Sequence, residues 1–373
     1  MSGLYIHIPF CASRCIYCGF YSTTADILRD RYVDALCREM TLRKNYLPIN
    51  DRKLSTIYIG GGTPSQLTTT NLEKISYNID SLYPDSDIEE FTMECNPDDV
   101  TPELAETINR LHINRISMGA QTFSDSRLNF LHRRHSSDEV RLAIDILRDA
   151  GIDNISIDLM FGFPDETLEE WISDIKQAIA LNVEHISAYS LMYEENTPLY
   201  QMLKQGKVNE IDDNLSLKMY NTLIDCLTAA RYEHYEISNF AQHGYRSRHN
   251  NSYWQAIPYI GIGAAAHSYD ISSRQWNVSD IYKYIESIEQ GVIPMEREIL
   301  DEDTKYNDLI TTTLRTCDGI DLSEMRPIYR QYLIENASQY MYRNQMEIKD
   351  NKLRFTRDGL YISDAIMTDL MKV

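Results

Sequence analysis

FCASRCIYCGF, residues 10–20, follows directly on LYIHI at 4–8 and holds three of the chain's seven cysteines, Cys11, Cys15 and Cys18, at C-x3-C-x2-C spacing. Two positions on, where a further thiol would extend the cluster, there is Phe20. LYIHI has the short, aromatic and β-branched make-up of a strand. The thiols are therefore expected on a loop at the C-terminal end of a first strand, where α/β folds place their sites. Thiolates this close together suit a soft metal centre. A closed zinc site would need a fourth protein ligand, for which His7 is the near candidate. An iron–sulfur cluster on three cysteines would leave one iron open. Three unrelated buried cysteines are the plain alternative, and Cys37, Cys95, Cys226 and Cys317, set in apolar helical or strand surroundings, are expected to be just that.

Beyond this loop the first half alternates short apolar runs with amphipathic stretches. Strands are expected at 4–8, 55–60, 90–95, 115–120, 154–160 and 185–191, with helices over 31–40, 71–83 and 167–182 among the crossovers. Thr101-Pro102 and Ser137-Asp138 read as helix starts, Ala150-Gly151 as a helix stop. Such alternation predicts a parallel sheet with right-handed crossovers. Six units fall short of a closed eight-stranded barrel, so the predicted class is α/β, a partial (β/α)6 barrel or open sheet with ligands at the C-terminal strand ends. A barrel over 1–210, an extension over 211–295 and a C-terminal domain over 296–373 are expected. The last reads helix, helix, hairpin (MEIKDNKLRFT), helix, like a small winged-helix α+β module. It has both charge signs and no basic recognition helix, so it reads as a packing or lid domain. GIGAAA at 261–266 imitates a dinucleotide fingerprint but lacks the following helix start and acidic residue, and is read as a tight strand or loop at the side of the barrel.

The chain has 373 residues, 43% of them hydrophobic, and a net charge of −20. That charge disfavours nucleic acid, whose binding needs basic surface. No apolar run approaches the roughly 18 residues of a membrane span. MSGLYIHIPFC has neither a basic region nor a cleavage site, and the few clustered cysteines argue against a secreted disulfide scaffold. A cytoplasmic protein with at most peripheral membrane contact is expected. Its 26 tyrosines would cap the core or line a pocket for a flat ligand.

Polar residues gather where the site should be. Gly60-Gly61-Gly62-Thr63 ends the second strand, and bare glycine N–H groups there could approach a charged ligand. Glu94, Gln121 and Asp158 close strands three, four and five, and carboxylates suit ribose hydroxyls.

With Tyr17 before the third cysteine, the loop resembles the C-x3-C-x-aromatic-C signature of radical S-adenosylmethionine (SAM) enzymes, a family with six-unit partial barrels. The resemblance implies a [4Fe–4S] cluster on Cys11, Cys15 and Cys18, SAM chelating the open iron, and an electron donor whose reduction of the cluster yields a 5′-deoxyadenosyl radical. LYIHIPFC, IYIGGGTPS, MECNPDD, RISMGAQTF, IDLMFGFP and HNNSYW together resemble the group that contains the oxygen-independent coproporphyrinogen III dehydrogenases and the haem chaperones. By position this implies that Tyr5, Gly61 and Glu94 contact the cluster-bound SAM. Contacts of a second SAM would map to Tyr17, Gly62, Thr63, Gln121, Arg133 and Asp158. The dehydrogenases carry a further cysteine where this chain has Phe20, and an N-terminal arm that is not expected here. His249-Asn250-Asn251-Ser252-Tyr253-Trp254 matches the H-N-x-x-Y-W motif of the chaperones. It implies His249 as an axial ligand of haem, with Tyr253 and Trp254 on the porphyrin and His267 a weaker second candidate. The expectation is a haem-binding chaperone that serves respiratory haem proteins, the alternative a radical decarboxylase of coproporphyrinogen III.

Overall fold

Period-two alternation separates the two faces of the first strand, β1 (Ser2–Ile8): Leu4, Ile6 and Ile8 are fully buried in the helix-covered core, and Gly3, Tyr5 and His7 turn to the concave side. A computed structural model describes residues 2–48 and 52–372. Beside β1 run β2 (Leu54–Gly61), β3 (Glu90–Cys95), β4 (Arg115–Gln121), β5 (Ile155–Phe161) and β6 (His185–Ser190), each parallel to the one before. The crossovers are α1 (Arg29–Arg43), α2 (Thr69–Leu82), α3 (Pro102–Arg110), α4 (Asp125–Phe130), α5 (Ser137–Asp149) and α6 (Leu168–Ala180). Their starts are chemically marked: Thr68 and Thr101 cap the first turn, and Ser136/Glu139 and Thr167/Glu170 form reciprocal capping boxes. This is the partial (β/α)6 barrel expected from the strand spacing.

Both edges of this sheet are covered, not joined. After α7 (Pro198–Lys204) and α8 (Asp213–Ala229), the hairpin β7 (Glu233–Glu236) and β8 (Asn239–Ala241) lies antiparallel against β6. A short helix, α9 (Arg248–Trp254), leads to β9 (Tyr259–Ile262), which pairs in parallel with the free edge of β1. GIGAAA is thus the end of an added strand and its turn. A Cβ at Gly261 would lie 1.9 Å from the His267 carbonyl, so the next strand crosses too closely for any side chain. β10 (His267–Tyr269), β11 (Ser273–Asn277), α10 (Ile281–Glu289) and β12 (Met295–Ile299) complete this side. The boundary expected at 295/296 falls inside β12, which is paired along its length with β11.

A buried ion pair fastens the added strands. Glu39 and Arg43, one turn apart on α1, lie 3.1 Å from each other. Glu39 accepts from Gly263 N–H, Tyr284 Oη and Asn277 Nδ2, while Arg43 donates to the Gly261 carbonyl and Ser268 Oγ. Both charges are thus surrounded by hydrogen-bond partners, which is what makes a buried pair tolerable.

The C-terminal part has its own apolar core around Tyr306, Ile310, Leu333, Leu353 and Leu370. It comprises helices Glu302–Thr313, Pro327–Tyr342 and Ser363–Leu370 and a three-stranded antiparallel sheet that includes the hairpin Met346–Lys349/Lys352–Phe355. No helix among the described residues is long and apolar enough to cross a membrane.

Candidate cluster and cofactor site

Along β4, Arg115, Ser117, Gly119 and Gln121 line one cavity, while Ile116, Met118 and Ala120 are buried among the helices. The neighbouring strands add residues of their own, giving a lumen of about 690 Å³, within the usual size of ligand pockets. Tyr5 from β1, Tyr58 and Gly61 from β2, Glu94 from β3, Asp158 from β5 and Ser187 and Tyr189 from β6 form its walls. Cys11, Cys15, Tyr17 and Cys18 close its upper side, with Gly62, Thr63 and Arg133. Nine expected cofactor residues and the three thiols therefore meet around one space; His249 does not line it, although its neighbour Asn250 does.

Glu94 is held by two donors, Tyr58 Oη at 2.8 Å and Gly61 N–H at 2.9 Å. Burial outweighs both and pushes its carboxyl up to about 7, and burial likewise raises Asp158 to about 6 against a hydrogen bond from Ser187. The glycine turn differs from its expected role. Gly61 N–H is spent on Glu94, and Gly62 N–H on the Ile8 carbonyl at 2.7 Å, so neither is free for a ligand. Their lack of Cβ matters for space: Gly61 has φ +115°, and a Cβ there would lie 2.5 Å from the His7 ring.

The donor set suits a sulfur-rich, negatively charged group. Thr63 Oγ1 donates to Cys11 Sγ at 3.5 Å and Arg133 Nη1 to Cys15 Sγ at 3.6 Å, and such bonds to sulfur tune iron–sulfur clusters. Arg133 is itself fixed by Asn96 Oδ1 and the Gly119 carbonyl. Burial raises the Cys11 and Cys18 thiols, which disfavours bare thiolates and favours them only with a cation to bind. No group of three or more His, Cys, Asp or Glu side chains among the described residues is set to hold a single metal ion. His7, the candidate fourth ligand for zinc, has one ring nitrogen on Tyr5 Oη and the other on the Tyr21 carbonyl. Phe20 stands at the mouth, 72% exposed, with Met192 and Tyr189 also on the rim.

His249 lies apart from this cavity. Its ring is completely buried under the barrel floor, bonded to Thr56 Oγ1 and Tyr253 Oη at 2.9 Å each, and burial lowers it to about 3. Neither nitrogen is open to a haem iron in this arrangement. α9 plugs the floor: Glu90 accepts from the N–H groups of Arg248 and His249 and anchors its start. Tyr253 packs edge-on to Tyr259, and Arg315 covers Trp254, so neither ring is laid out for a porphyrin. His267 is exposed but stacks on Trp276 away from the cavity. The histidine that does line the cavity is the exposed His132. Cys37 and Cys95 are buried as expected, Cys226 is half-buried, and Cys317 is exposed and receives Arg246.

Tyr58, Glu90, Arg115 and Ser187 were not singled out from the sequence. For two of them alternation held a signal: Glu90 and Arg115 stand an even number of residues before Glu94 and Gln121 on the same strands. Ser187 had no such marked neighbour to lead to it.

Residues 5–178 match the model of the Radical SAM superfamily, and a partial barrel with three thiols at its mouth places the chain among radical SAM proteins. A coproporphyrinogen III oxidase structure, HemN from Escherichia coli, described as a radical SAM enzyme, is similar over 99% of this chain and 90% of that one, with a TM-score of 0.82. At 20% identity this is a likeness of fold. The "Heme chaperone HemW" of Bacillus subtilis (strain 168) is 34% identical over 364 residues, 92% of this chain and 95% of that one. The "Heme chaperone HemW" of Escherichia coli (strain K12) is 36% identical over 267 residues, 71% of this chain and 69% of its own. The chain belongs to the HemW family.

Proposed function

We infer that this protein is a haem chaperone, which binds haem and passes it to haem proteins, with respiratory enzymes as recipients. The observation that carries this reading is kinship with haem chaperones over nearly the whole length of both chains. Phe20 at the mouth, in place of a thiol, and the apolar rim it shares with Met192 and Tyr189 support it, because a porphyrin is flat and largely apolar. Cys11, Cys15 and Cys18 would hold a [4Fe–4S] cluster, and Tyr5 and Glu94 the SAM beside it, with Gly61 acting through the hydrogen bond that fixes Glu94. Bound there, such a pair would supply one-electron reductive chemistry at the SAM sulfonium, given an electron by a donor protein. The chain's own part is plainer: Thr63 and Arg133 donate to the sulfur ligands, and ionised Glu94 attracts a cationic ligand.

Ligation of haem iron by His249 requires α9 to leave the floor, because both ring nitrogens are bonded there. The test is a haem titration of the cluster-reconstituted protein, run anaerobically beside a coproporphyrinogen III decarboxylation assay with SAM. Saturable haem uptake without decarboxylation is expected. Decarboxylation without haem uptake would replace this reading by the dehydrogenase one, for which the gathering of all the second-SAM positions around one cavity speaks. His249→Ala, compared with His132→Ala, tells whether the iron ligand is the floor imidazole or one on the rim.

A further inference from the structure

The lower lumen holds a guanidinium with donors that nothing in the protein satisfies. Arg115 opens β4, and only 1% of its surface is exposed. Its Nε and Nη1 are buried without any hydrogen-bond partner, although the side chain lines the cavity. Arg133, the other guanidinium of the inner wall, uses both Nη atoms on fixed partners. A guanidinium stays charged at any pH a protein meets, and leaving its donors unmade away from water is costly. Glu94 and Asp158 sense its charge but do not bond to those two nitrogens. The Ser117 and Ser187 hydroxyls and the Asn250 amide line the same cavity as further hydrogen-bonding groups.

We propose that Arg115 makes the lumen floor an anion subsite that receives a carboxylate on the tail of a ligand entering from the mouth. On the haem reading, on which this identification of the ligand rests, the tail is a porphyrin propionate. A carboxylate matches one edge of a guanidinium and accepts two parallel N–H donors there, here Nη2 with either Nε or Nη1, both of which lack a partner. The carboxylate of SAM is not the source. With SAM held beside the thiols, its carboxylate would lie toward the far end of β4, whose first and last residues stand about 20 Å apart. What reaches the floor must be a flexible acid arm, with the bulk of its carrier held higher, near Phe20 and Tyr189.

The experiment compares haem with haem dimethyl ester, whose propionates cannot ionise, on wild-type protein, Arg115→Gln and Arg115→Lys. Circular dichroism and melting temperature of each variant establish that it folds. The wild type is expected to bind haem about ten- to a hundredfold more tightly than the diester, the range of a charge-assisted hydrogen bond. Arg115→Gln should lose that preference, and Arg115→Lys keep part of it, having the charge without the fork. Equal binding of both porphyrins by the wild type, or a preference that persists in Arg115→Gln, overturns the subsite. Should neither porphyrin bind, the haem reading fails by itself, and the subsite is judged with sodium propionate. A saturable rise in wild-type melting temperature that Arg115→Gln lacks then supports it, and no such rise overturns it.

Discussion

Gly61 shows how much one missing atom does. Its φ of +115° and its approach to the His7 ring leave no room for a methyl group, and its N–H is one of two donors that hold Glu94. Gly61→Ala is expected to cost about 1–3 kcal/mol in urea unfolding and to weaken SAM binding measured by calorimetry. Glu94 itself carries a pH signature. Its folded carboxyl is raised from 4.5 to about 7, so the folded state holds a proton that the unfolded chain has released. Stability is therefore greatest, with respect to this group, below pH 4.5 and falls as pH climbs to about 7. Glu94→Gln should flatten that slope, by about 1–2 kcal/mol over the window once water in the cavity is allowed for, as read from unfolding midpoints in each buffer. A cationic ligand reverses the trend, since it pairs with the ionised form. Glu94 and Asp158 were legible as polar residues closing apolar strands. Arg115 shares their face by alternation, yet it begins its strand, and nothing local shows that its length carries it up into the lumen.

Helix α9 illustrates the same limit for a whole element. So short a helix cannot hold itself by backbone hydrogen bonds alone, and this one depends on Glu90 at its start, on His249 between Thr56 and Tyr253, and on Trp254 under Arg315. Glu90→Ala strips the two N–H groups and is expected to cost about 2 kcal/mol or more, with loss of amide protection in 248–254 by hydrogen exchange. His249→Ala should also lower the melting temperature, a result that a loop histidine serving only as a haem ligand would not produce. On the other side of β1, Glu39→Ala leaves Arg43 buried and charged without its partner. About 3–5 kcal/mol of destabilisation is expected by urea denaturation, concentrated where β9–β11 attach.

The molecule as a whole divides its labour between a rigid barrel and a loop that carries the thiols. Cys11, Cys15 and Cys18 are half-buried and lie outside the main apolar cores. Cys15→Ser is expected to abolish the visible absorption of the reconstituted cluster while the cluster-free protein melts within a few degrees of wild type. A large drop in the cluster-free protein would mean that the loop braces the barrel. The C-terminal core touches the barrel partly through α9, whose Trp254 carbonyl accepts from Thr313. A displacement of α9 would therefore be felt in both parts.

Strand positions, their parallel order and the thiol loop at the barrel mouth could all be read from the chain, because each rests on local signals: alternation over a few residues, capping threonines, cysteines clustered on one loop. Gly61 and Gly62 were recognised as a turn, but the destination of their N–H groups was not, since it depends on Glu94 and Ile8 in neighbouring strands. The motif around His249 gives no sign of what its ring touches. Its true partner Thr56 is 193 residues away in sequence, and only the closing of the sheet brings the two within 2.9 Å. Pattern along a chain specifies which face a residue takes. Whether that face meets solvent, a ligand or another buried polar group is decided by what distant segments pack against it, and that is a property of the tertiary structure.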